Sequence, residues 1–328
     1  MTTTFRSLMA ASVLTVFAGA AHATELKVGY ALAEDSHYGA GAKAFEQAVT
    51  QSMGDAFSFR HFPSSGLGGE REVLEGIQLG TVDATIVSQG TLSNFVPEVG
   101  VFDVPFLFRD LAHGRAVLDG EIGQDMLGKF EDVGLIALAW GEQGFRHITN
   151  NRNPVTTPDD LKGMKIRTME NPVHIAAFRA LGAAPTPMAW PEVIPALEQG
   201  AIDGQENPLA VITSAKLNEV QTYLSLTGHV YAPCVVIVSP QLWNRLDDAG
   251  KDNFRKAAQA AGQAMRDYVD NAETNGVTAL QTAGMKVNTL DAAQKQAFRA
   301  ALVGPYAEYE AQFGKDLMDS ISATEATE

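Results

Sequence analysis

The sequence contains little cysteine and few basic residues. Its 328 residues include one cysteine, Cys234, which excludes an internal disulfide framework and a zinc site built on cysteine ligands. Lysine and arginine number 24 against 39 aspartates and glutamates, a formal net charge of −15. Because nucleic-acid binding requires a basic surface, this balance argues against a nucleic-acid partner. The hydrophobic fraction of 45 % is nevertheless typical of a globular protein.

Motifs for catalysis and metal binding are also lacking. The histidines show no His-x-x-x-His spacing, and no Gly-x-Ser-x-Gly elbow occurs. The glycine-rich turn at 64–69 is not followed by the Lys-Ser or Lys-Thr of a phosphate-binding loop. The sequence therefore predicts no catalytic residue, no metal and no cofactor.

The first 23 residues have the pattern of an export signal. Arg6 gives a positive start, an apolar run covers 8–18, and 21–23 is a small-x-small cleavage site. The apolar run is shorter than the roughly 20 residues that span a bilayer. We therefore predict cleavage after Ala23 and a mature chain outside the cytoplasm. There Cys234, beside an apolar run, is predicted to be a buried apolar residue and not a nucleophile.

An internal repeat divides the chain into two halves. Segments 26–29 and 72–84 return as 164–167 and 192–204, the latter shifted by 120 positions. The longer segment is apolar at helical spacing, ends at a glycine and continues as a strand. Each half thus alternates strands and helices, which indicates a parallel-rich sheet flanked by helices. We predict an α/β fold of two lobes.

A long amphipathic helix is predicted from about Ala249 to Ala283, with Gly284 as its stop. Its length exceeds roughly 45 Å, enough to cross both lobes. The predicted division of the chain is a signal peptide at 1–23, lobe I at 24–143 with about 233–272 returning to it, and lobe II at 144–232 with about 273–328 returning to it.

Ligands of open parallel sheets bind outside the carboxyl ends of the strands. In lobe II, Arg167 ends the first strand and 205–207 end the third. A 2-1-3 strand order makes these strands neighbours about 5 Å apart. Arg167 and Asn207 would then form a carboxylate cradle. Arg146, which follows the apolar strand 135–140, is a candidate second cation.

Further candidates lie at the remaining strand ends. Trp190 is either a stacking wall for a ligand or an ordinary core residue. Glu70 either favours the dipole of the helix that it begins or accepts a ligand hydroxyl. In lobe I the equivalent positions are the loop 33–37, which ends with His37, and the pair Ser88-Gln89. Both lobes can therefore face one crevice.

Four runs, at 144–147, 161–167, 184–188 and 203–208, together give a family resemblance. The mature chain resembles, over essentially its whole length, the DctP-type solute-binding proteins of tripartite ATP-independent periplasmic (TRAP) transporters. The resemblance implies a periplasmic, usually monomeric protein that closes two lobes over a small organic anion. It delivers that anion to membrane permease subunits driven by an ion gradient, and it carries no catalytic group.

The resemblance also implies roles for the candidate residues. Arg167 would clamp a carboxylate with Asn207 as its amide partner, Arg146 would be an auxiliary cation, and Trp190 would line the pocket. The positions that would meet the variable part of the ligand are Glu70, Ser88, Gln89 and His37. Two alternatives stay open, namely a secreted enzyme on the same scaffold and a ligand-sensing subunit of a signalling complex. The ligand itself is either a dicarboxylate or a hydroxylated or sugar acid.

Overall fold

The computed structural model describes residues 23–326, so the predicted export signal and its cleavage site fall outside the described residues except for Ala23. Within this range, nine strands form one mixed sheet in the order β2-β1-β3-β8-β4-β7-β5-β6, with β9 paired to β8. The strands are β1 (Thr24–Tyr30), β2 (Phe57–Phe62), β3 (Ala84–Ser88), β4 (Ile136–Asn150), β5 (Lys165–Thr168), β6 (Ala184–Pro187), β7 (Gly204–Pro208), β8 (Tyr223–Val238) and β9 (Lys286–Thr289).

The two ends of the sheet have the same construction. At one end β1 pairs in parallel with β2 and β3, and at the other β5 pairs in parallel with β6 and β7. We call these the first and second half-sheets. The predicted 2-1-3 order is confirmed in both, and Arg167 lies in register with Gln205 of the neighbouring strand. The predicted α/β class with parallel-rich sheets is likewise confirmed.

The internal repeat has a structural basis in two equivalent aspartates. Asp83 accepts a hydrogen bond from the backbone N–H of Lys27 at 2.9 Å, and Asp203 accepts one from Lys165 at 2.8 Å. Each aspartate also donates its own backbone N–H to the carbonyl of the same lysine. The side chain thereby fixes the start of the third strand against the first in both halves.

Helices cover the sheet and connect its strands. They are α1 (His37–Met53), α2 (Glu70–Leu79), α3 (Gln89–Leu92), α4 (Leu111–Asp119), α5 (Glu121–Gly128), α6 (Pro172–Ala180), α7 (Trp190–Glu198), α8 (Leu209–Ser214), α9 (Pro240–Trp243), α10 (Asp248–Thr282), α11 (Ala292–Ala301), α12 (Val303–Phe313) and α13 (Lys315–Ala323). No helix within residues 23–326 is both long enough and apolar enough to cross a membrane.

The long helix α10 has 35 residues, which agrees with the predicted span to within one residue at each end. It begins where the Asp247 side chain accepts the N–H of Gly250 at 2.8 Å, and Gly284 follows it with a φ of 97°. Its apolar face packs on α1 and on the middle of the sheet, where the ring of Phe254 meets that of Phe45 at 5.5 Å between centroids. Cys234 is fully buried beside this helix, as predicted.

Strand β4 differs from its prediction. The sequence predicts a strand at 135–140 followed by a separate segment containing Arg146, whereas β4 continues unbroken to Asn150. The apolar pattern stops early because buried polar side chains occupy the second half of the strand. A register shift between Glu142 and Gly144, where Gly144 has a φ of 98°, interrupts the pairing with β8 without ending it.

Candidate functional site

A cleft opens at the carboxyl ends of both half-sheets. It has a volume of about 620 Å³, including the space open to solvent at its mouth, which suits a small ligand. Six of the eight predicted site residues line it, namely Glu70, Ser88, Arg146, Arg167, Trp190 and Asn207. The cleft is therefore built from both repeats of the sequence.

Arg167 lies near the end of β5 and is only 3 % exposed. Its Nε and Nη2 donate to the carbonyl of Met188, at 3.1 and 2.8 Å. Within residues 23–326 its guanidinium forms no salt bridge, and Nη1 donates to no protein acceptor. Burial lowers the pKa of Arg167 to about 10, and the carboxylate of Glu206 opposes this shift. The side chain thus stays a cation at neutral pH, with one edge free for an anion.

Trp190 forms the wall beside this arginine. It is the first residue of α7, and the centre of its ring lies 5.9 Å from Cζ of Arg167. The half-buried ring also packs against the apolar clusters on either side of it. One part of the Trp190 ring therefore lines the cleft, and the rest packs in the core.

Arg146 is held by a carboxylate in a buried network. Its Nη2 donates to the Oε1 of Glu206 at 2.7 Å, while its Nε donates to the Oε2. Nε2 of His229 lies 3.1 Å from the same Oε2. Although burial opposes the effect, the Arg146 cation holds the pKa of Glu206 well below its usual range. The pair is therefore ionised and has no net charge.

Asn207 is oriented by its neighbours on β7 and β4. Its Oδ1 accepts from Nη2 of Arg146 at 3.2 Å, and its Nδ2 donates to Oε1 of Gln205. Gln205 in turn donates to Thr149 at 2.9 Å. The chain of hydrogen bonds fixes which way the amide points, and its second N–H stays available to a ligand.

Glu70 faces the cleft from the first turn of α2. Its Oε1 accepts from the backbone N–H of Ser88 at 2.9 Å and from the hydroxyl of Tyr38 at 3.2 Å. Its Oε2 accepts from the hydroxyl of Thr91. Burial raises the pKa of Glu70, and these three donors oppose the shift. No cation within residues 23–326 forms a salt bridge with this carboxylate.

Ser88 is the last residue of β3, and its hydroxyl contacts residues of β4 and of the segment after β5. Its hydroxyl accepts from the amide of Gln143 at 2.9 Å and donates toward Sδ of Met169 at 3.7 Å. Gln143 and Met169 also line the cleft, as do Tyr38 and Thr91, and none of these four was predicted from the sequence. Gln143 lies directly before the 144–147 run and Tyr38 directly after His37, so adjacency to candidate positions was the available signal.

Two predicted residues lie outside the cleft lining. His37 begins α1, so its fully buried ring packs on that of Tyr38 at 4.7 Å between centroids, and Tyr38 reaches the cleft instead. Burial lowers the pKa of His37 to about 3. Gln89 begins α3, where its fully buried amide donates to the carbonyl of Val99. The prediction that these two side chains meet the ligand is corrected because each residue begins a helix whose first turn buries the side chain away from the cleft lining.

The cleft is closed on one side by hydrogen bonds between the two halves. Asn171, the residue before α6, donates to the carbonyl of Gly90 at 2.9 Å and to the carboxylate of Asp103 at 2.6 Å. Nearby, Asn94 donates to the carbonyl of Glu170 at 2.7 Å. Among the described residues, no group of three or more histidine, cysteine or acidic side chains is arranged to hold a metal ion. The arrangement offers charge and hydrogen bonds to an enclosed anion.

Comparisons with known proteins point the same way as this geometry. The sequence model of a family described as bacterial extracellular solute-binding protein, family 7 (DctP), matches residues 28–312. A solute-binding protein of Verminephrobacter eiseniae is 46 % identical over 308 residues, which is 94 % of this chain and 91 % of that protein.

Two solved structures are similar over the same region. A TRAP periplasmic solute-binding protein from Bordetella, with density assigned to pantoate, is 59 % identical and superposes with a TM-score of 0.90, over 92 % of this chain and all of that one. A second, from Polaromonas and bound to D-erythronate, is 48 % identical with a TM-score of 0.90, over 93 % of this chain and all of that one.

Proposed function

The chain belongs to the bacterial extracellular solute-binding proteins of family 7, the DctP family, and on this premise we propose that it captures a small carboxylate-bearing molecule in the cleft and delivers it to a TRAP-type membrane permease. The observation that carries the proposal is Arg167. A guanidinium that is almost fully buried, with no bound carboxylate in the described residues, is costly unless an anion joins it. A ligand carboxylate supplies that partner.

The binding roles follow from the geometry. Arg167 clamps the carboxylate through the free edge of its guanidinium, and Asn207 adds an N–H from the neighbouring strand. Arg146 orients Asn207 and supports the site from behind, since Glu206 neutralises its charge. Trp190 walls the carboxylate end of the cleft, while Glu70 and Ser88 face the rest of the ligand.

The ligand is proposed to be a hydroxylated acid. The acids described in the two similar structures, pantoate and D-erythronate, are both small monocarboxylates that carry hydroxyl groups. Glu70 and Asn207 provide an acceptor and a donor for such groups. These two acids are accordingly the first compounds to assay.

Capture is proposed to proceed by closure of two lobes. Lobe I comprises 24–143 with about 233–272, and lobe II comprises 144–232 with about 273–328, so that β4, β8 and α10 connect them. Bending at these three connections opens the cleft, and the hydrogen bonds made by Asn94 and Asn171 re-form when it closes. The protein is proposed to act as a monomer in the periplasm after cleavage behind Ala23, which N-terminal sequencing and light scattering of the secreted product test.

The test of the function is a ligand panel measured by thermal shift and calorimetry. It comprises hydroxy acids, dicarboxylates, sugar acids, amino acids and neutral sugars, with mass spectrometry of the denatured protein to detect a ligand retained from the host. A ligand at 100 times its dissociation constant stabilises the protein by about 2.7 kcal/mol. Stabilisation by organic acids supports the proposal, whereas stabilisation by neutral sugars alone overturns it.

A further inference from the structure

We infer that the cleft selects monoanions, and that Glu70 is the residue that admits a hydroxylated tail and excludes a second carboxylate. The inference rests on the proposed function and narrows it, because a carboxylate-binding cleft could otherwise accept dicarboxylates. It is carried by the charges that line the cleft and by the hydrogen bonds that each of them already makes.

The cleft has one cation to offer a ligand. Arg146 is paired with Glu206 through two hydrogen bonds, so its charge is already balanced. Arg167 forms no salt bridge among the described residues, and the only hydrogen-bond acceptor of its guanidinium there is a backbone carbonyl. Apart from Glu70, the other charged residues of the lining, Arg71, Glu72 and Glu170, are exposed to solvent, where water and salt screen them. The interior of the cleft therefore offers one guanidinium, that of Arg167, to pair with one ligand carboxylate.

The Glu70 side of the cleft carries a carboxylate that forms no salt bridge within residues 23–326; burial raises its pKa, and its hydrogen-bond donors and the Arg167 cation oppose that shift. Glu70 lies in α2, which connects β2 and β3 of the first half-sheet, and Arg167 lies in β5 of the second. Since both line the cleft, a ligand clamped by Arg167 is inferred to extend toward Glu70. A second carboxylate at that end would meet the like charge of Glu70 at a partly desolvated place. Such juxtapositions are strongly unfavourable.

The hydrogen bonds of Glu70 specify what it accepts instead. Tyr38, Ser88 and Thr91 all donate to it, and a carboxylate accepts about four hydrogen bonds. The acceptor position that is left must be filled by a donor. A ligand hydroxyl provides an O–H, whereas a ligand carboxylate at neutral pH has no proton to donate.

A matched pair of acids tests the inference. D-erythronate and meso-tartrate share a four-carbon skeleton and hydroxyls at C2 and C3, and differ in having a CH₂OH or a carboxylate at C4. D-gluconate and D-glucarate form a second pair of the same kind. Calorimetry on the purified exported protein should show the monocarboxylate of a pair binding at least about 100-fold more tightly than its dicarboxylate. A dicarboxylate that binds as tightly as its partner, or as the best monocarboxylate of the panel, overturns the inference.

Substitution of Glu70 tests the residue itself. Glu70→Gln removes the charge, keeps the size and adds an N–H. It should strengthen meso-tartrate binding by about 10-fold or more and weaken D-erythronate binding. The ratio of the two affinities should therefore become smaller. Glu75→Gln, on an exposed position of the same helix, should leave both affinities unchanged. An unchanged preference in Glu70→Gln contradicts the assignment of selectivity to this residue.

The ligand pairs separate this inference from the proposed function. Binding of mono- and dicarboxylates with equal affinity would retain the function and refute the selectivity. Absence of binding by every carboxylate in the panel, with no retained acid found by mass spectrometry, would refute the function itself. If Glu70→Gln fails to fold, the comparison of the acid pairs on the unaltered protein still decides whether the cleft selects monoanions.

Discussion

The guanidinium of Arg146 donates to both carboxylate oxygens of Glu206. This pairing decides how the two arginines of the cleft differ. The presence of two arginines in the cleft, taken alone, suggests two carboxylate-binding groups and hence a ligand with two carboxylates. The contacts instead leave one arginine structural and one, Arg167, available to the ligand.

Arg167→Ala should weaken binding of the cognate acid by about 2 to 5 kcal/mol, as loss of one partner of a buried charge pair does. The dissociation constant from titration calorimetry measures it. Arg179→Ala, at an exposed position of α6, is the matched control and should bind normally. Equal affinities in the two variants would show that Arg167 does not bind the ligand.

Glu206→Gln should destabilise the fold by about 3 to 5 kcal/mol, because it leaves the buried charge of Arg146 without its partner. Denaturant unfolding gives the change in free energy. The double variant Arg146→Leu with Glu206→Leu removes both charges, so it should be less destabilised than Glu206→Gln. A double variant that is the less stable of the two would contradict this account of the pair.

Asn171→Asp should impair closure while keeping the helix cap. Its Oδ1 accepts the N–H groups of Val173 and His174, and an aspartate preserves that role. The Nδ2 that donates to Asp103 is lost, and two carboxylates then face each other. Ligand affinity should fall by about 10-fold or more, and the ligand-induced compaction in X-ray scattering should shrink. The control variant Asn244→Asp changes an exposed residue at the end of α9. It should show the same ligand-induced compaction as the unaltered protein.

Glu273→Gln should raise stability at alkaline pH. Burial raises the pKa of Glu273 from 4.5 to about 7, with the negative charges of Glu142 and Asp270 adding to the shift. The contribution of the protonated form is complete below pH 4.5 and is lost as pH rises through about 7. The variant should therefore gain about 1 kcal/mol at pH 8, after allowance for solvent screening, and little at pH 4.5. A gain of equal size at both pH values would contradict this reasoning.

The thiol of Cys234 should resist modification in the folded protein. The side chain is fully buried beside Met265, and burial raises the pKa of the thiol well above its ordinary value. A colorimetric thiol reagent should react fully in denaturant and only at the rate of unfolding without it. Rapid reaction of the native protein would show that Cys234 is accessible.

Much of the fold could be predicted because the repeat and the helix boundaries are local signals. Gly80 and Gly200 follow their helices with left-handed φ values of 74° and 67°, as their predicted role requires. The 2-1-3 order is one of the orders that right-handed crossovers permit, and it occurs in both half-sheets. The continuation of β4 through Arg146 could not be predicted, since its buried polar residues owe their burial to partners distant in sequence.

The site was predictable where a position at a strand end sufficed. Arg167, Asn207 and Trp190 line the cleft because each belongs to the carboxyl end of the second half-sheet or to the segment after it. The prediction for His37 and Gln89 was wrong because each is the first residue of a helix. The geometry of that first turn, which the sequence pattern does not contain, decides which side chain points toward the cleft. The pairing of Arg146 with Glu206 depends on registry between β4 and β7, which sequence patterns do not contain.

Strands β4 and β8, of 15 and 16 residues, lie between the two half-sheets, and α10 packs beside them. If the proposed lobe boundaries hold, no single cut in the gene yields a fragment that contains one complete lobe. Under the proposed division, exchange of one lobe between two relatives needs three crossovers, one in each of these elements. Ligand preference in such a chain can change more readily by point substitution in the cleft than by recombination.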